Sequence, residues 1–115
     1  MTPAFPANVQ VYLKPGPTDM RKAINGLSIL AQKIAGDPFS GALFAFCNRR
    51  HDIVKILYWD RNGFCIWHKR LERDRFPWPN TEEEALEISA QQLHWLLNGI
   101  DFRRAHESVK YSTLT

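Results

Sequence analysis

The chain is poor in cysteine, lacks any long apolar run and contains none of the glycine-rich phosphate loops. Its two cysteines, Cys47 and Cys65, form no C-x-x-C pair. The four histidines, His51, His68, His94 and His106, form no H-x-x-x-H pair. Zinc sites usually show one of these spacings, so no metal is expected. Both cysteines sit in apolar, strand-like runs, where a free thiol behaves as a small hydrophobe. A reduced, cytoplasmic protein is the expectation. No segment approaches the roughly 20 apolar residues of a membrane span. The opening MTPAFPANVQ has neither the basic start nor the apolar run of a leader peptide. Neither GxxxxGK[ST] nor GxGxxG occurs. KPGPTDMRK places Gly16 before a helix start, an anion-friendly geometry. Pro15 and Pro17 remove two backbone donors there, so the segment reads mainly as a helix entry.

Catalytic groups are also short of company. Asp19, Asp37, Asp52, Asp60 and Glu72 lie near expected turns or strand ends, where converging carboxylates could hold magnesium. Each has a simpler role. Asp19 suits a helix first turn, Asp37, Asp52 and Asp60 suit turns, and Glu72 has arginines beside it. No serine or cysteine nucleophile has a base at an informative spacing. The chain is therefore expected to be no enzyme and to need no cofactor.

The 115 residues are 44% hydrophobic and 12% aromatic, enough to bury the core of one domain. The net charge is only +3, but it is unevenly spread. Arg49, Arg50, Lys55, Arg61, Lys69, Arg70, Arg73 and Arg75 outnumber Asp52, Asp60, Glu72 and Asp74 in one window. An acidic stretch, Glu82, Glu83, Glu84 and Glu87, follows. A basic side with a separate acidic patch favours a nucleic acid or an acidic protein as partner over a neutral small molecule.

Residues 49–79 carry the strongest local signal. Asn62-Gly63 predicts a tight hairpin turn, flanked by β-branched and aromatic residues. With that turn, Trp59 faces Ile66, Leu57 faces His68 and Lys55 faces Arg70. The opposite face carries Val54, Ile56, Tyr58, Cys65, Trp67, Lys69 and Leu71 and is expected to meet the core. The face with Lys55, Trp59, His68 and Arg70 suits a polyanion: cations meet phosphates and flat rings stack on bases. It equally suits the solvated side of an antiparallel sheet, with Lys and Arg blocking edge aggregation.

Elsewhere the pattern predicts a strand over 9–14, ended by Pro15-Gly16-Pro17. A helix over 20–35 follows, N-capped by Thr18, closed by Gly36, with Met20, Ile24, Leu27, Leu30, Ala31 and Ile34 on its apolar face. A strand over 42–47 precedes the hairpin. A brief strand is expected over 85–88, then a helix from Ala90 set by a Ser89/Gln92 capping box and ending near Asn98-Gly99. The expected fold is α+β. It has a small antiparallel sheet of four to five strands, a meander around a central hairpin, packed against one long helix and one shorter C-terminal helix. The long helix is expected on the apolar hairpin face. Residues 1–104 form one domain and 105–115 a frayed tail. Phe76-Pro77-Trp78-Pro79 is stiff, so Trp78 is either a core clamp or a preorganised partner anchor.

The ordered motifs resemble a known family. They are Thr18-Asp19-Met20-Arg21-Lys22, Asn25-Gly26-Leu27, Asp37-Pro38-Phe39-Ser40-Gly41, Lys55-Ile56-Leu57-Tyr58-Trp59-Asp60, Gly63 and Lys69-Arg70-Leu71-Glu72. Phe76-Pro77-Trp78-Pro79 and Leu96-Leu97-Asn98-Gly99-Ile100-Asp101 complete the set. Over roughly residues 8–102 the chain is similar to the TnpB-type accessory proteins, products of the second open reading frame of insertion-sequence family sixty-six. The large RNA-guided nucleases that share the TnpB name are unrelated to it. Two positions depart from the family pattern: His51, where a small turn residue is usual, and His68, where an aromatic is common. The resemblance implies a non-catalytic accessory factor for DNA transposition. Its partners would be DNA at the element ends, recognised with weak sequence specificity, and the cognate transposase. Arg49, Arg50, Lys55, Trp59, Lys69, Arg70, Arg73 and Arg75 are the expected nucleic-acid contacts. In the alternative, an adaptor docks on the transposase through Trp78, Glu82, Glu83 and Glu84 without significant DNA binding of its own.

Overall fold

The computed structural model describes residues 5–103, so the expected tail over 105–115 lies outside the described residues. Five strands and two helices follow one another: β1 (Val11–Pro17), α1 (Ile24–Ala35), β2 (Leu43–Cys47), β3 (Ile53–Asp60), β4 (Gly63–Arg70), β5 (Leu86–Ile88) and α2 (Ala90–Leu97). They form one five-stranded sheet in the order β4-β3-β2-β1-β5. The α+β class and the meander β2-β3-β4 agree with the sequence.

The sheet is mixed, not antiparallel throughout. β1 runs parallel to β2, with Val11 beside Leu43 and Leu13 beside Ala45. The physical reason is α1. Parallel neighbours need a crossover, and a 12-residue helix returns the chain about 18 Å to the starting end. Pro15-Gly16-Pro17 does not end β1, as its composition led us to expect. The register shifts between Leu13 and Pro17, and Gly16 takes a φ of 73°. β5 pairs only with residues 11–13 of β1; beyond Leu13 the Pro79 carbonyl accepts from the Gly16 N–H at 3.0 Å in place of a strand ladder, and proline is tolerated at such an irregular strand margin.

Both faces of the sheet are covered. Leu27 and Ala31 of α1 pack on Phe44, Phe46 and Leu57. Leu93, Leu96 and Leu97 of α2, with Phe76 and Trp78, pack on Leu13, Ala45, Val54 and Ile56 on the other side. This explains why all five residues of β2 are buried and why it reads as a continuous apolar run. It also corrects the expected position of α1. The helix covers the hairpin face bearing Lys55 and Trp59, and α2 covers the face bearing Val54, Ile56 and Trp67.

The hairpin turn is Arg61-Asn62, not Asn62-Gly63, because Asp60 pairs with Gly63 and Trp59 with Phe64. Arg61 takes the left-handed conformation, with φ 57°. The pairing therefore slips by two residues from the expected one. A slip of two leaves each side chain on its expected face, since strand side chains alternate with a period of two.

α1 starts at Ile24, four residues later than expected, and its N-cap Ala23 offers no side-chain bond. Thr18 instead continues the sheet, its N–H donating to the Cys47 carbonyl at 2.7 Å. Ile24 is exposed rather than on the buried stripe. α2 begins where the capping box puts it. Ser89 Oγ accepts from the Gln92 N–H at 3.0 Å, and Gln92 Oε1 accepts from the Ser89 N–H at 2.8 Å.

Candidate nucleic-acid interface

β1 and β2 end side by side because they are parallel, and β3 starts and β4 ends at the same end of the sheet. Three loops therefore meet there: 18–23, 48–52 and 71–76. Backbone bonds hold the second and third together, and the Thr18 N–H anchors the first to the Cys47 carbonyl at the end of β2. Leu71 N–H donates to the Asp52 carbonyl, and Phe76 N–H to the His51 carbonyl, each at 2.7 Å. The Arg75 guanidinium donates through Nη1 to the Arg50 carbonyl at 2.7 Å. Ligands of open α/β sheets bind outside the carboxyl ends of parallel strands, because the loops there diverge around a crevice. A crevice of about 380 Å³ opens at this end, lined by Pro17, Thr18, Asp19, Met20, Asn48, Arg49 and Arg50.

The loop 48–52 is built around one side chain. Asn48 Oδ1 accepts from the N–H groups of Asp52 and Ile53, each at 3.0 Å, and its Nδ2 donates to the Asp52 carboxylate. His51 adopts φ 62°, which this scaffold imposes on it. The Asn48 amide, followed by the charges of Arg50 and Arg75, holds the Asp52 carboxyl below the usual range. In the neighbouring loop, Arg21 caps Asp19 with a forked ion pair, the shortest contact being 2.7 Å. That side-chain bond, then the Arg21 N–H, pushes the Asp19 carboxyl down to about 2. Asp19 thus closes a turn rather than opening the helix.

Arg21, Lys22, Arg49, Arg50, Arg70, Arg73 and Arg75 collect at this end of the sheet, against Asp19, Asp52, Glu72 and Asp74. Arg21 is paired with Asp19, Arg70 with Glu72, and Arg50 reaches Asp52 only at 3.8 Å. Lys22, Arg49 and Arg73 form no ion pair among the described residues, and all three are exposed.

Of the remaining sequence-derived candidates, Lys55 reaches this end only to tie down its first loop, and the others lie elsewhere. Lys55 is on the α1 side, where its ammonium donates to the carbonyls of Met20 at 2.8 Å and Lys22 at 3.0 Å. Lys69 is on the α2 side and donates to the Leu97 carbonyl at 3.2 Å, in the last turn of α2. Trp59 joins Phe39 and Phe64 in an aromatic cluster, with ring centroids 5.0–5.2 Å apart. Trp78 is 5% exposed, and its indole N–H donates to the Lys14 carbonyl at 2.9 Å. Glu82, Glu83 and Glu84 line a cleft of about 610 Å³ with Lys14, Leu30, Lys33 and Ile34. Among the described residues no group of three or more His, Cys, Asp or Glu side chains is placed to hold a metal. No helix of the described residues is long and apolar enough to cross a membrane.

Arg21 and Lys22 were not among the contacts expected from sequence. The signal for them is topological: once β1 and β2 pair in parallel, the loop after β1 must join the loop after β2.

Residues 9–107 match the family model described as IS66 Orf2 like protein. The uncharacterized protein y4hO of Sinorhizobium fredii (strain NBRC 101917 / NGR234) is 40% identical over 102 residues, covering 88% of this chain and 89% of its own. The uncharacterized protein y4jC of the same strain is 30% identical over 97 residues, covering 84% and 83%. No solved structure matches the chain. The chain belongs to the IS66 Orf2-like family of transposition-associated accessory proteins.

Proposed function

We propose that the protein is a non-catalytic accessory factor that grips duplex DNA at or near the ends of its element through the basic loop end of the sheet. One observation carries this reading. Three loops converge at the carboxyl ends of β1 and β2, and their exposed cations Lys22, Arg49 and Arg73 have no carboxylate partner among the described residues. Arg50 and Arg75 flank them. Exposed guanidinium and ammonium groups in this arrangement suit phosphate oxygens, and contact to phosphate carries no sequence information. Binding is therefore weakly sequence-specific. Lys55 and Lys69 serve the fold in this scheme, because backbone carbonyls already take up their ammonium groups.

The test is fluorescence anisotropy on element-end and random duplexes. Arg49→Glu with Arg50→Glu should weaken binding to both duplexes alike, by roughly tenfold or more, which is about 1.4 kcal/mol or more. Equal binding by wild type and the double variant rejects the basic loop end as the contact.

The adaptor reading keeps one supporting feature, the exposed run Glu82, Glu83 and Glu84 beside an open cleft. With the Trp78 ring enclosed, a transposase would have to dock on the glutamates. Charge reversal of these three residues, read by transposase pull-down, separates that mode from the DNA grip.

A further inference from the structure

β4 ends the sheet, and its outer edge has no strand beside it among the described residues. Which of its backbone groups point outward follows from the turn. Asp60 and Gly63 close a two-residue loop. A non-bonded pair at that position would need a hydrogen bond between the adjacent residues Arg61 and Asn62, which is sterically impossible. Asp60 and Gly63 are therefore a hydrogen-bonded pair. Alternation along the ladder then turns the N–H and C=O groups of Phe64, Ile66, His68 and Arg70 away from β3. The bond from Leu71 N–H to the Asp52 carbonyl continues the same phase.

This edge lacks most of the usual defences. β4 pairs with β3 through eight consecutive residues without a bulge or a proline. Lysine and arginine occur only at its far end, as Lys69 and Arg70. Large apolar side chains on both faces remain half-buried: Phe64 and Ile66 on the α1 side, Trp67 on the α2 side. On the α1 side the apolar surface extends to Phe39, which is 58% exposed and in contact with Trp59 and Phe64. The opposite edge strand, β5, has only three residues. A long, flat, apolar edge is a template for another strand.

The open backbone groups specify a β-strand as occupant, and the side chains specify which. Antiparallel pairing of two β4 strands about a two-fold axis perpendicular to the sheet continues each face with its own kind. Centred on Ile66, such pairing sets Phe64 opposite His68 and Cys65 opposite Trp67 of the other copy. Gly63 meets Lys69 and Asn62 meets Arg70, so no like charges oppose one another. A foreign strand would have to match both faces, whereas β4 is complementary to itself. We propose that β4 is a self-association edge, through which two copies join antiparallel into one continuous ten-stranded sheet. The proposal is independent of DNA contact.

Sedimentation equilibrium over a wide concentration range tests it, without DNA. The wild-type mass should approach twice the chain mass of 13.4 kDa. Ile66→Pro deletes an outward N–H that no bond to β3 uses. Cys65→Lys adds a charge to the edge from the opposite face. Each should weaken association by roughly tenfold or more. Circular dichroism identifies any variant that fails to fold, and the other then decides. A wild type that stays at the monomer mass at every concentration overturns the proposal. So does a dimer of unchanged strength in a folded variant. A monomer whose Ile66 and His68 amides resist exchange also overturns it, because the chain's own residues then cover the edge.

Discussion

The Lys55 ammonium donates to the Met20 carbonyl at 2.8 Å, tying the centre of the sheet to the loop that leads into α1. A second bond, to the Lys22 carbonyl at 3.0 Å, completes the tie. Carbonyls between a strand end and a helix start have no ladder partner, and this cation satisfies two of them. Lys55→Met should therefore cost about 1.5 kcal/mol of stability in urea unfolding, the scale of a hydrogen bond to a charged group. DNA affinity of the folded variant should stay within about twofold of wild type, since Lys55 makes no phosphate contact in the proposed grip. A large affinity loss with unchanged stability would assign Lys55 to the DNA surface instead.

The surroundings of Trp78 favour the clamp over the anchor. Its ring belongs to the α2-side core, and its N–H satisfies Lys14 next to the irregular part of β1. Trp78→Ala should destabilise by about 3–5 kcal/mol. Trp78→Phe keeps most of the apolar bulk but leaves the Lys14 carbonyl unpaired, at about 1–3 kcal/mol. Thermal melts of the two variants should fall in that order. An unchanged melt for Trp78→Ala contradicts the clamp.

Burial pushes the Cys47 thiol up to about 12, so it is protonated across the ordinary range and has little thiolate to react. Cys47 is fully enclosed in β2, whereas Cys65 is half-buried in β4. Alkylation under native conditions at pH 8 should therefore spare Cys47 until the chain is unfolded in urea. Rapid native labelling of Cys47, located by peptide mass analysis, would show that β2 opens locally.

The Asp19 carboxyl is lowered from 3.8 to about 2 by the Arg21 side-chain bond, then by the Arg21 N–H. A carboxylate lowered on folding favours the folded state above its unfolded pKa, and that contribution is lost as pH falls through the folded value. Melting temperature should drop between pH 4 and pH 2 in the wild type. Asp19→Asn should flatten part of that drop and leave the melt at pH 7 only slightly lower, since the pair is exposed. An identical acid profile for the variant would remove Asp19 from the linkage.

Local chemistry was legible in the sequence; chain-to-chain pairing was not. The Ser89/Gln92 box fixed the start of α2 because both bonds form within four residues. The faces of the hairpin were legible although its turn was not, because a slip of two preserves the alternation. Parallel pairing of β1 with β2 left no local mark, and Pro15-Gly16-Pro17 carries the signature of a strand end. Thr18 looks like a helix cap, but its N–H is taken by Cys47 across the sheet. The basic loop end depends on these non-local bonds. Arg49, Arg50, Arg73 and Arg75 stood out by composition, while Arg21 and Lys22 joined them only through topology. Lys55 and Lys69 read as nucleic-acid contacts in the sequence, since a sequence cannot show which carbonyls a lysine will reach.

The most direct test of the DNA grip is the salt dependence of wild-type binding to an element-end duplex and to a random duplex. Each neutralised phosphate contributes about −0.9 to the slope of log affinity against log salt. Three to five contacts drawn from Lys22, Arg49, Arg50, Arg73 and Arg75 predict a slope between about −2.7 and −4.5 on both duplexes, with affinities within about tenfold of each other. Binding that is absent, or that does not change with salt, contradicts the grip and leaves transposase docking as the protein's route to its function.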